Sequence, residues 1–283
     1  MRKVLILGAS GLIGSTLSRF LAKQNEIEVH AASRDSSSFA FENKHNCDMR
    51  YESLGRLVTK ICPSFVINCV GLTKHLASEN SDAYLFPNVI VPLNLKRLQK
   101  KHRFGLIHIS SDCVFAGTSA PYLDCDEPDA NDNYATTKAI AEALLEKDAM
   151  VLRTSTVGHE FNSRHGLVDW FLGETGKVEG YKNAYFNGVT TLTLAKLVHN
   201  LMIAPNGYCT GLYNVSSERI SKFDFLHILK KIYELDIEIH PNETVSIDRS
   251  LVRSKHIDEF FIDSDWNQQI QEMKDDHGSR LTQ

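Results

Sequence analysis

The glycine-rich segment near residue 10 reads Val4-Leu5-Ile6-Leu7-Gly8-Ala9-Ser10-Gly11-Leu12-Ile13-Gly14. Its apolar start is typical of a strand that is buried on both faces of a parallel sheet. One glycine lets the chain turn tightly, another lets a pyrophosphate approach the backbone, and the third lets the following helix pack on the strand. The segment therefore predicts a dinucleotide-binding strand–loop–helix unit, and a plain strand–helix turn is the alternative.

The first half of the chain repeats this order of strand and helix. Short runs rich in Val and Ile alternate with longer amphipathic segments up to about residue 154. Such alternation predicts an α/β fold built on a doubly wound parallel sheet of the Rossmann type. Strands are predicted at Val4–Leu7, Ile27–Ala31, Phe65–Cys69, Gly105–Ile109 and Met150–Arg153, and helices at Leu12–Lys23, Glu52–Ile61, Asp82–His102 and Tyr134–Lys147.

The remaining residues exceed what one compact domain of about 150 residues needs. Their pattern is looser, with predicted helices at 168–172, 192–203 and 222–234, strands at 212–215 and 238–240, and a frayed polar end from 274 to 283. We expect residues 1–154 to form the dinucleotide-binding domain, with 188–204 returning to it. Residues 155–187 and 205–283 are expected to form a small C-terminal α/β substrate lobe.

Composition narrows the class of partner. The chain has 31 basic and 35 acidic residues, a net charge of -4, which gives no electrostatic footprint for nucleic acid. No apolar run approaches the length of a membrane span or a signal peptide, so we expect no membrane partner and a cytoplasmic location. The six cysteines form no C-x-x-C pair, and His159 and His165 do not share a helix face, so no metal site is expected.

Two positions after predicted strands bear on the choice of cofactor. The second strand ends in Ser33-Arg34-Asp35, where an NAD site carries an acidic residue that binds the ribose hydroxyls. Arg34 can pair with a 2′-phosphate and so favours NADP(H), whereas Asp35 leaves NAD open and a solvated Arg34 is the alternative. Asp48 precedes the next helix and is either an adenine contact or a helix cap.

A second set of residues suits proton transfer to a carbonyl. Tyr134 and Lys138 are four residues apart in a predicted helix, so their side chains share one face. A nearby cation lowers the pKa of a phenol, which makes tyrosine a workable acid near neutral pH. Ser111 ends the fourth strand, in the crevice where parallel α/β sheets bind ligands.

Together these motifs resemble the extended short-chain dehydrogenase/reductases, and within them the dTDP-4-dehydrorhamnose reductases. The resemblance rests on the glycine loop and two further segments, with weaker matches elsewhere. The further segments are Ile109-Ser110-Ser111-Asp112-Cys113-Val114-Phe115-Ala116-Gly117 and Tyr134-Ala135-Thr136-Thr137-Lys138, and the weaker matches are Asn68-Cys69-Val70-Gly71, Asn88 and Leu152-Arg153-Thr154-Ser155.

The resemblance implies NADPH-dependent reduction of the 4-keto group of a nucleotide-linked deoxy sugar, and a homodimer. Tyr134 would be the general acid, Lys138 would lower its pKa and bind the nicotinamide ribose, and Ser111 would orient the carbonyl. The expected cofactor contacts are Gly8, Ser10, Gly11, Leu12, Ile13, Gly14, Ser33, Arg34, Asp48, Asn68, Val70, Gly71, Asn88 and Lys138. The expected substrate contacts are Ser111, Cys113, Val114, Tyr134 and Thr156.

Two departures from the reductase pattern concern the sugar. Cys113 and Thr156 stand where that pattern has aromatic residues. Two other functions stay open, an NAD-dependent nucleotide-sugar epimerase or dehydratase and a non-catalytic regulatory subunit of the same fold. A dehydratase usually has Glu where this chain has Cys113, and regulatory relatives often lose part of the Ser, Tyr and Lys set.

Overall fold

Two sheets carry most of the strands in the computed structural model, which describes residues 1–38, 41–73, 81–160 and 166–281. The larger sheet has seven strands, and each pair of neighbours runs parallel. The strands are β1 (Arg2–Leu7), β2 (Ile27–Ser33), β3 (Lys44–Asn46), β4 (Phe65–Asn68), β5 (Gly105–Ile109), β6 (Met150–Arg153), β7 (Thr156–Val157), β8 (Gly176–Phe186), β9 (Val189–Thr190), β10 (Gly211–Asn214), β11 (Ile220–Ser221) and β12 (Ile237–Asp248).

The strand order of the large sheet is β10-β6-β5-β4-β1-β2-β3. The chain moves to one side of β1 to form β2 and β3, then crosses to the other side to form β4. The carboxyl ends of β1 and β4 therefore border a crevice at the point where the direction of winding reverses, the usual ligand site in such sheets. This arrangement confirms the predicted α/β class with a doubly wound parallel sheet.

Helices cover both faces of the large sheet, so its strands are apolar throughout. Successive residues of β1 point to opposite faces. Val4 and Ile6 pack with helices α1 and α6, and Leu5 and Leu7 pack with α2 and α3. The helices are α1 (Leu12–Ala22), α2 (Tyr51–Ile61), α3 (Val91–His102), α4 (Asn133–Leu145), α5 (Leu167–Gly173), α6 (Thr191–Ile203), α7 (Lys222–Tyr233), α8 (Lys255–Asp258) and α9 (Trp266–Leu281).

The smaller sheet has the order β11-β8-β12 and a separate apolar core. In that core the side chains of Phe171, Phe225, Trp266 and Ile270 are buried, from helices α5, α7 and α9. We propose that these elements form the substrate lobe expected from the sequence. The packing of α6 on α1 supports assigning residues 191–203 to the dinucleotide-binding domain.

Three details differ from the prediction. Residues 211–214 form the edge strand β10 of the large sheet, paired with β6, so the expected lobe from residue 205 onward is interrupted there. The short polar strand β3 was not predicted. Residues 266–281 form the helix α9, where the prediction gave a polar end without a helix: Trp266, Ile270 and Met273 recur at helical spacing and bury one face of its first half.

The predicted helix over Asp82–His102 is broken into three parts. A 3-10 turn at Ser81–Tyr84 and a π-helical turn at Phe86–Ile90 precede α3. Single π turns often occur at functional sites, because they reorient one side chain within a helix. Here the π turn holds Asn88, whose side chain is fully buried. Within the described ranges, no helix is long and apolar enough to cross a membrane.

Candidate active site

The glycine loop joins β1 to α1 through contacts that only glycine permits. Gly8 has a positive φ of 77°, and a Cβ there would lie 2.9 Å from the backbone carbon of Cys69. A Cβ on Gly14 would lie 2.2 Å from the carbonyl oxygen of Gly8. Helix α1 begins after Gly11, which offers no side-chain cap, and its first turn holds no acidic residue. The first N–H groups of α1 thus face a cradle that fits a pyrophosphate.

We predict that Gly14→Ala prevents dinucleotide binding. The added methyl group meets backbone atoms, which cannot yield as a flexible side chain does, and overpacking of this kind costs about 1–3 kcal/mol or more. NADPH binding, followed by nucleotide fluorescence, should fall below detection, and the melting temperature should drop. Gly173→Ala is the matched control, since nothing lies within 4 Å of its added Cβ. Equal NADPH affinity in both variants would contradict the role of Gly14.

In the turn after β2, the carboxylate of Asp35 is hydrogen bonded to another residue of the same turn. The carboxylate of Asp35 accepts hydrogen bonds from the backbone N–H (2.9 Å) and hydroxyl (2.6 Å) of Ser37, which lower its pKa. Ser33 is buried and donates to the carbonyl of Asp35 at 2.6 Å. Arg34 is exposed, and no hydrogen bond or ion pair links its guanidinium to any part of the chain that the structure describes. Arg34 is therefore an exposed cation just past the carboxyl end of β2.

Asp48 lies just before α2. Its carboxylate accepts a hydrogen bond from the backbone N–H of Arg50 at 3.1 Å, and a hydrogen bond with the Ser53 side chain lowers its pKa most. These contacts are what the capping interpretation predicts, although Arg50 itself occupies the N-cap position. The alternative role as an adenine contact stays a prediction.

Two buried amides shape the loop after β4. Asn68 accepts a hydrogen bond from the backbone N–H of Val70 at 3.1 Å. Asn88 accepts from the N–H of Leu72 at 2.9 Å and donates to the hydroxyl of Thr137, on α4, at 3.1 Å. A Cβ on Gly71 would lie 3.4 Å from the Asn88 oxygen. The amides thereby hold this loop against the glycine loop on one side and α4 on the other.

The structure brings Ser111, Tyr134 and Lys138 together at the carboxyl ends of β5 and β6. Helix α4 is capped by Asp132, which accepts from the N–H of Ala135 at 3.0 Å, and places Tyr134 in its first turn. The Ser111 side chain lies close enough to the phenol of Tyr134 to lower its pKa. Lys138 lies one turn further and donates to the carbonyl of Ile109 at 2.7 Å.

The electrostatics differ from the expected activation of Tyr134 by Lys138. Burial raises the pKa of Tyr134, and the neighbouring Cys113 raises it further, against the hydrogen bond from Ser111 that lowers it. Burial also lowers the pKa of Lys138 to about 8. The predicted lowering of the Tyr134 pKa by Lys138 is therefore wrong for this structure, because burial raises that pKa and the amine is directed to a backbone carbonyl. A phenol with a raised pKa stays protonated at neutral pH, as a proton donor must.

A buried ion pair supports the same face of α4. Glu142 lies one turn beyond Lys138, and the Arg153 guanidinium donates to both of its carboxylate oxygens, at 3.2 and 2.7 Å. The Ser110 hydroxyl donates to the same carboxylate. Both charged side chains are at most 3% exposed. Arg153, in the Leu-Arg-Thr-Ser motif, thus helps to hold α4, the helix that carries Tyr134 and Lys138, against β6.

A cavity of about 190 Å³ lies beside Ser111, between the two sheets. Of the five predicted substrate contacts, Cys113 and Thr156 line it, whereas Ser111 and Tyr134 are not among its lining residues. Val114 does not: it is 1% exposed and packs in an apolar cluster with Phe115 and Tyr122, so that prediction is wrong. Residues that sequence reasoning did not assign also line the cavity, and they are Asp112, Ser155, Val157, Leu167, Ala184, Tyr185, Phe186, Lys222, Ile247 and Arg249.

Different signals would have been needed to find the missed residues. Glu142 continues the four-residue spacing of Tyr134 and Lys138, and so was accessible from helical periodicity. Lys222 and Arg249 lie more than 100 residues from Ser111, and only the tertiary fold brings them to the cavity.

Of the two histidines in the segment 159–165, only His159 lies within the described residues. His159 is hydrogen bonded to Asp169 (2.8 Å) and to the Tyr233 hydroxyl (2.7 Å). His165 lies outside the described residues. Elsewhere in those ranges, no group of three or more His, Cys, Asp or Glu residues is placed to hold a metal ion.

Comparisons with known proteins agree with this architecture. The β subunit of methionine adenosyltransferase 2 from Rattus norvegicus is 32% identical over 156 residues, 54% of this chain and 46% of that protein. A dTDP-4-dehydrorhamnose reductase from Mycolicibacterium smegmatis is 31% identical over 163 residues, 55% and 46%. The matched stretches thus span about half the length of these curated relatives.

The fold itself extends over nearly the whole chain. The crystal structure of a dTDP-4-dehydrorhamnose reductase from Bacillus anthracis, in complex with NADP, superposes with a TM-score of 0.82 and 18% identity, over 98% of this chain and 99% of that one. The family model described as the RmlD substrate binding domain matches residues 1–258. The chain therefore belongs to the RmlD substrate-binding domain family.

Proposed function

We propose that this protein reduces the 4-keto group of a nucleotide-linked deoxy sugar with NADPH, and that Tyr134 is the general acid. One observation carries the proposal: the phenol of Tyr134 lies close to Ser111 and to Cys113, and Cys113 lines the cavity. The relatives named dTDP-4-dehydrorhamnose reductase support this choice of reaction.

The chain's own groups would act on the carbonyl oxygen. The hydroxyls of Ser111 and Tyr134 can both donate hydrogen bonds to it, and thereby stabilise the negative charge that develops there. A bound nicotinamide supplies the hydride. Tyr134 then gives its proton to the product oxygen, whose basicity as an alkoxide exceeds that of a phenolate even when burial raises the phenol pKa.

The cavity favours an anionic substrate with a sugar near Cys113. Lys222 and Arg249 bring positive charge to it, which suits a diphosphate. Asp112 is also present, and burial raises the pKa of its carboxyl group, against the opposing effect of Arg249. Cys113 and Thr156 are smaller than the aromatic residues of the reductase pattern, so we propose that the sugar differs from the one such aromatic residues contact.

The proposed reaction is tested by following NADPH consumption with a panel of 4-keto-6-deoxy nucleotide sugars. We expect turnover with at least one of them and none with sugars that lack the keto group. If NADPH binds but no member of the panel is reduced, the reductase proposal fails. A second candidate would then apply, a nucleotide-binding subunit, which is favoured by the relatives named as a subunit of methionine adenosyltransferase 2.

NADPH rather than NADH is the proposed cofactor, because Arg34 presents an exposed cation after β2 while Asp35 is engaged with Ser37. Arg34→Ala should weaken NADPH binding about tenfold or more and leave NADH binding nearly unchanged, since a hydrogen bond to a charged group contributes on the order of 1.5 kcal/mol. Titration of nucleotide fluorescence measures both affinities. Arg97→Ala, another exposed arginine, is the control. An unchanged ratio of the two affinities would remove Arg34 from cofactor selection.

Two expectations about the whole protein stay predictions. The cytoplasmic location rests on the free cysteines, which suit a reducing compartment. The homodimer rests on the resemblance to the reductases alone.

A further inference from the structure

A fully buried histidine lies behind Lys138. His108 is on β5, in the strand that leads to Ser111, and it has no exposed surface. Its Nδ1 lies 2.9 Å from the Asn68 side-chain nitrogen, and its Nε2 lies 3.5 Å from the Lys138 Nζ. The proposed reaction as described above makes no use of this side chain.

The hydrogen bonds determine which nitrogen of His108 carries the proton. The backbone N–H of Val70 donates to the Asn68 Oδ1, which orients that amide and directs its Nδ2–H₂ group at His108. Nδ1 of His108 must then accept, so the proton of a neutral imidazole resides on Nε2. Burial, and the nearby Lys138, lower the pKa of His108 well below its usual value, so the neutral form prevails.

The Nε2–H group of His108 therefore points at the Lys138 Nζ. If Lys138 is an ammonium group, two hydrogen-bond donors then face each other. A neutral amine has a lone pair that can accept the hydrogen bond from Nε2–H, whereas an ammonium group has none. The imidazole thus favours the uncharged form of Lys138. On the other side, the ammonium form donates to the Ile109 carbonyl.

The remaining groups around Lys138 act in the opposite direction. Glu142, on the same helix, and Cys69, at the end of β4, both raise the pKa of Lys138. The charge of Glu142 is largely offset by its bidentate pair with Arg153. Tyr134, one turn away, is neutral at ordinary pH because burial raises its pKa. His108 is thus the polar side chain whose donor opposes the charged form.

We propose that His108 is a positioning residue which, through its Nε2–H, destabilises the charged form of Lys138, and that Asn68 determines the tautomer required for this effect. This effect adds to burial, which lowers the pKa of Lys138 to about 8, so that Lys138 changes its protonation state near neutral pH instead of remaining a permanent cation. The catalytic consequence, that Lys138 can exchange a proton during each turnover, rests on the proposed function. The charge state of Lys138 does not, and it can be measured without any substrate.

The first test is an NMR titration of Lys138 in the full chain. Protein labelled with ¹³C-lysine is titrated from pH 6 to 11, and the Lys138 Cε signal is assigned by its loss in Lys138→Met. We expect a midpoint of about 8 in the unmodified chain. In His108→Gln the amide oxygen can accept from the ammonium group, so the midpoint should rise by about one pH unit or more. His227→Gln, an exposed histidine on α7, is the matched control and should leave it unchanged.

A folded His108→Gln variant with an unshifted Lys138 midpoint would overturn the proposal, since a purely structural histidine predicts that result. If the variant does not fold, the tautomer decides in the unmodified chain. The ¹⁵N shifts of His108 should show a neutral ring protonated on Nε2 throughout pH 6–9. A proton on Nδ1, or a charged ring, would equally overturn the proposal. Because both measurements are made without substrate, their failure is distinguishable from absence of reductase activity.

Discussion

Tyr134→Phe should lower kcat for NADPH-dependent sugar reduction by about 10²–10⁴-fold, because it deletes the proton that the product oxygen receives. The ring remains, so the first turn of α4 and its packing should persist. Steady-state absorbance of NADPH measures the rate, and nucleotide fluorescence measures cofactor affinity, which should change by less than about twofold if only proton donation is lost.

The matched control for this variant is Tyr213→Phe. Tyr213 is on the edge strand β10, and its hydroxyl donates only to the carbonyl of Thr210. We expect it to retain nearly full activity. If Tyr134→Phe kept the activity of the control, the proton would have to come from another group and Tyr134 would have no place in the mechanism.

Arg153→Met should destabilise the fold more than any other single change considered, by about 3–5 kcal/mol, because it leaves the carboxylate of Glu142 buried without a cation. The guanidinium lies 2.7 Å from the Glu142 carboxylate and 4.7 Å from the centre of the Phe115 ring. Urea unfolding at pH 7 measures the loss.

The double variant Glu142→Leu with Arg153→Met distinguishes a lost cation from lost packing. Replacing both charges by apolar groups is often neutral or even stabilising, so the double variant should recover most of the stability lost by Arg153→Met. If it were as unstable as the single variant, the cost would come from packing around Arg153 and not from the buried charge of Glu142.

Local pattern was sufficient to predict five of the seven strands of the large sheet, but neither β3 nor the place of β10 in that sheet. Gly8, Gly11 and Gly14 stand at three positions where a side chain would come too close to backbone atoms. The periodicity of apolar residues indicates which face of each strand and helix is buried. Both are properties of neighbouring residues in the chain. The same reasoning missed α9, in which Trp266, Ile270 and Met273 bury one face of an otherwise polar helix.

The lining of the cavity and the protonation states of the site were harder to predict from the sequence. Val114 follows the motif residues in sequence, yet the chain turns there and directs its side chain into an apolar cluster. The pKa of Tyr134 depends on burial and on where the Lys138 amine is directed, neither of which a four-residue spacing specifies. Arg249 and Lys222 line the cavity only because the tertiary fold brings distant segments of the chain together.

The order of the structural elements along the chain has a consequence for synthesis of the protein. Helix α6 covers the face of β1 that carries Val4 and Ile6, and β10 supplies one edge of the large sheet, yet both follow the first part of the small lobe in the chain. A nascent chain that has emerged only as far as residue 154 would lack both elements and leave apolar surface in water. The first domain should therefore complete its folding only after about residue 215 has left the ribosome, and shorter fragments should depend on chaperones or aggregate.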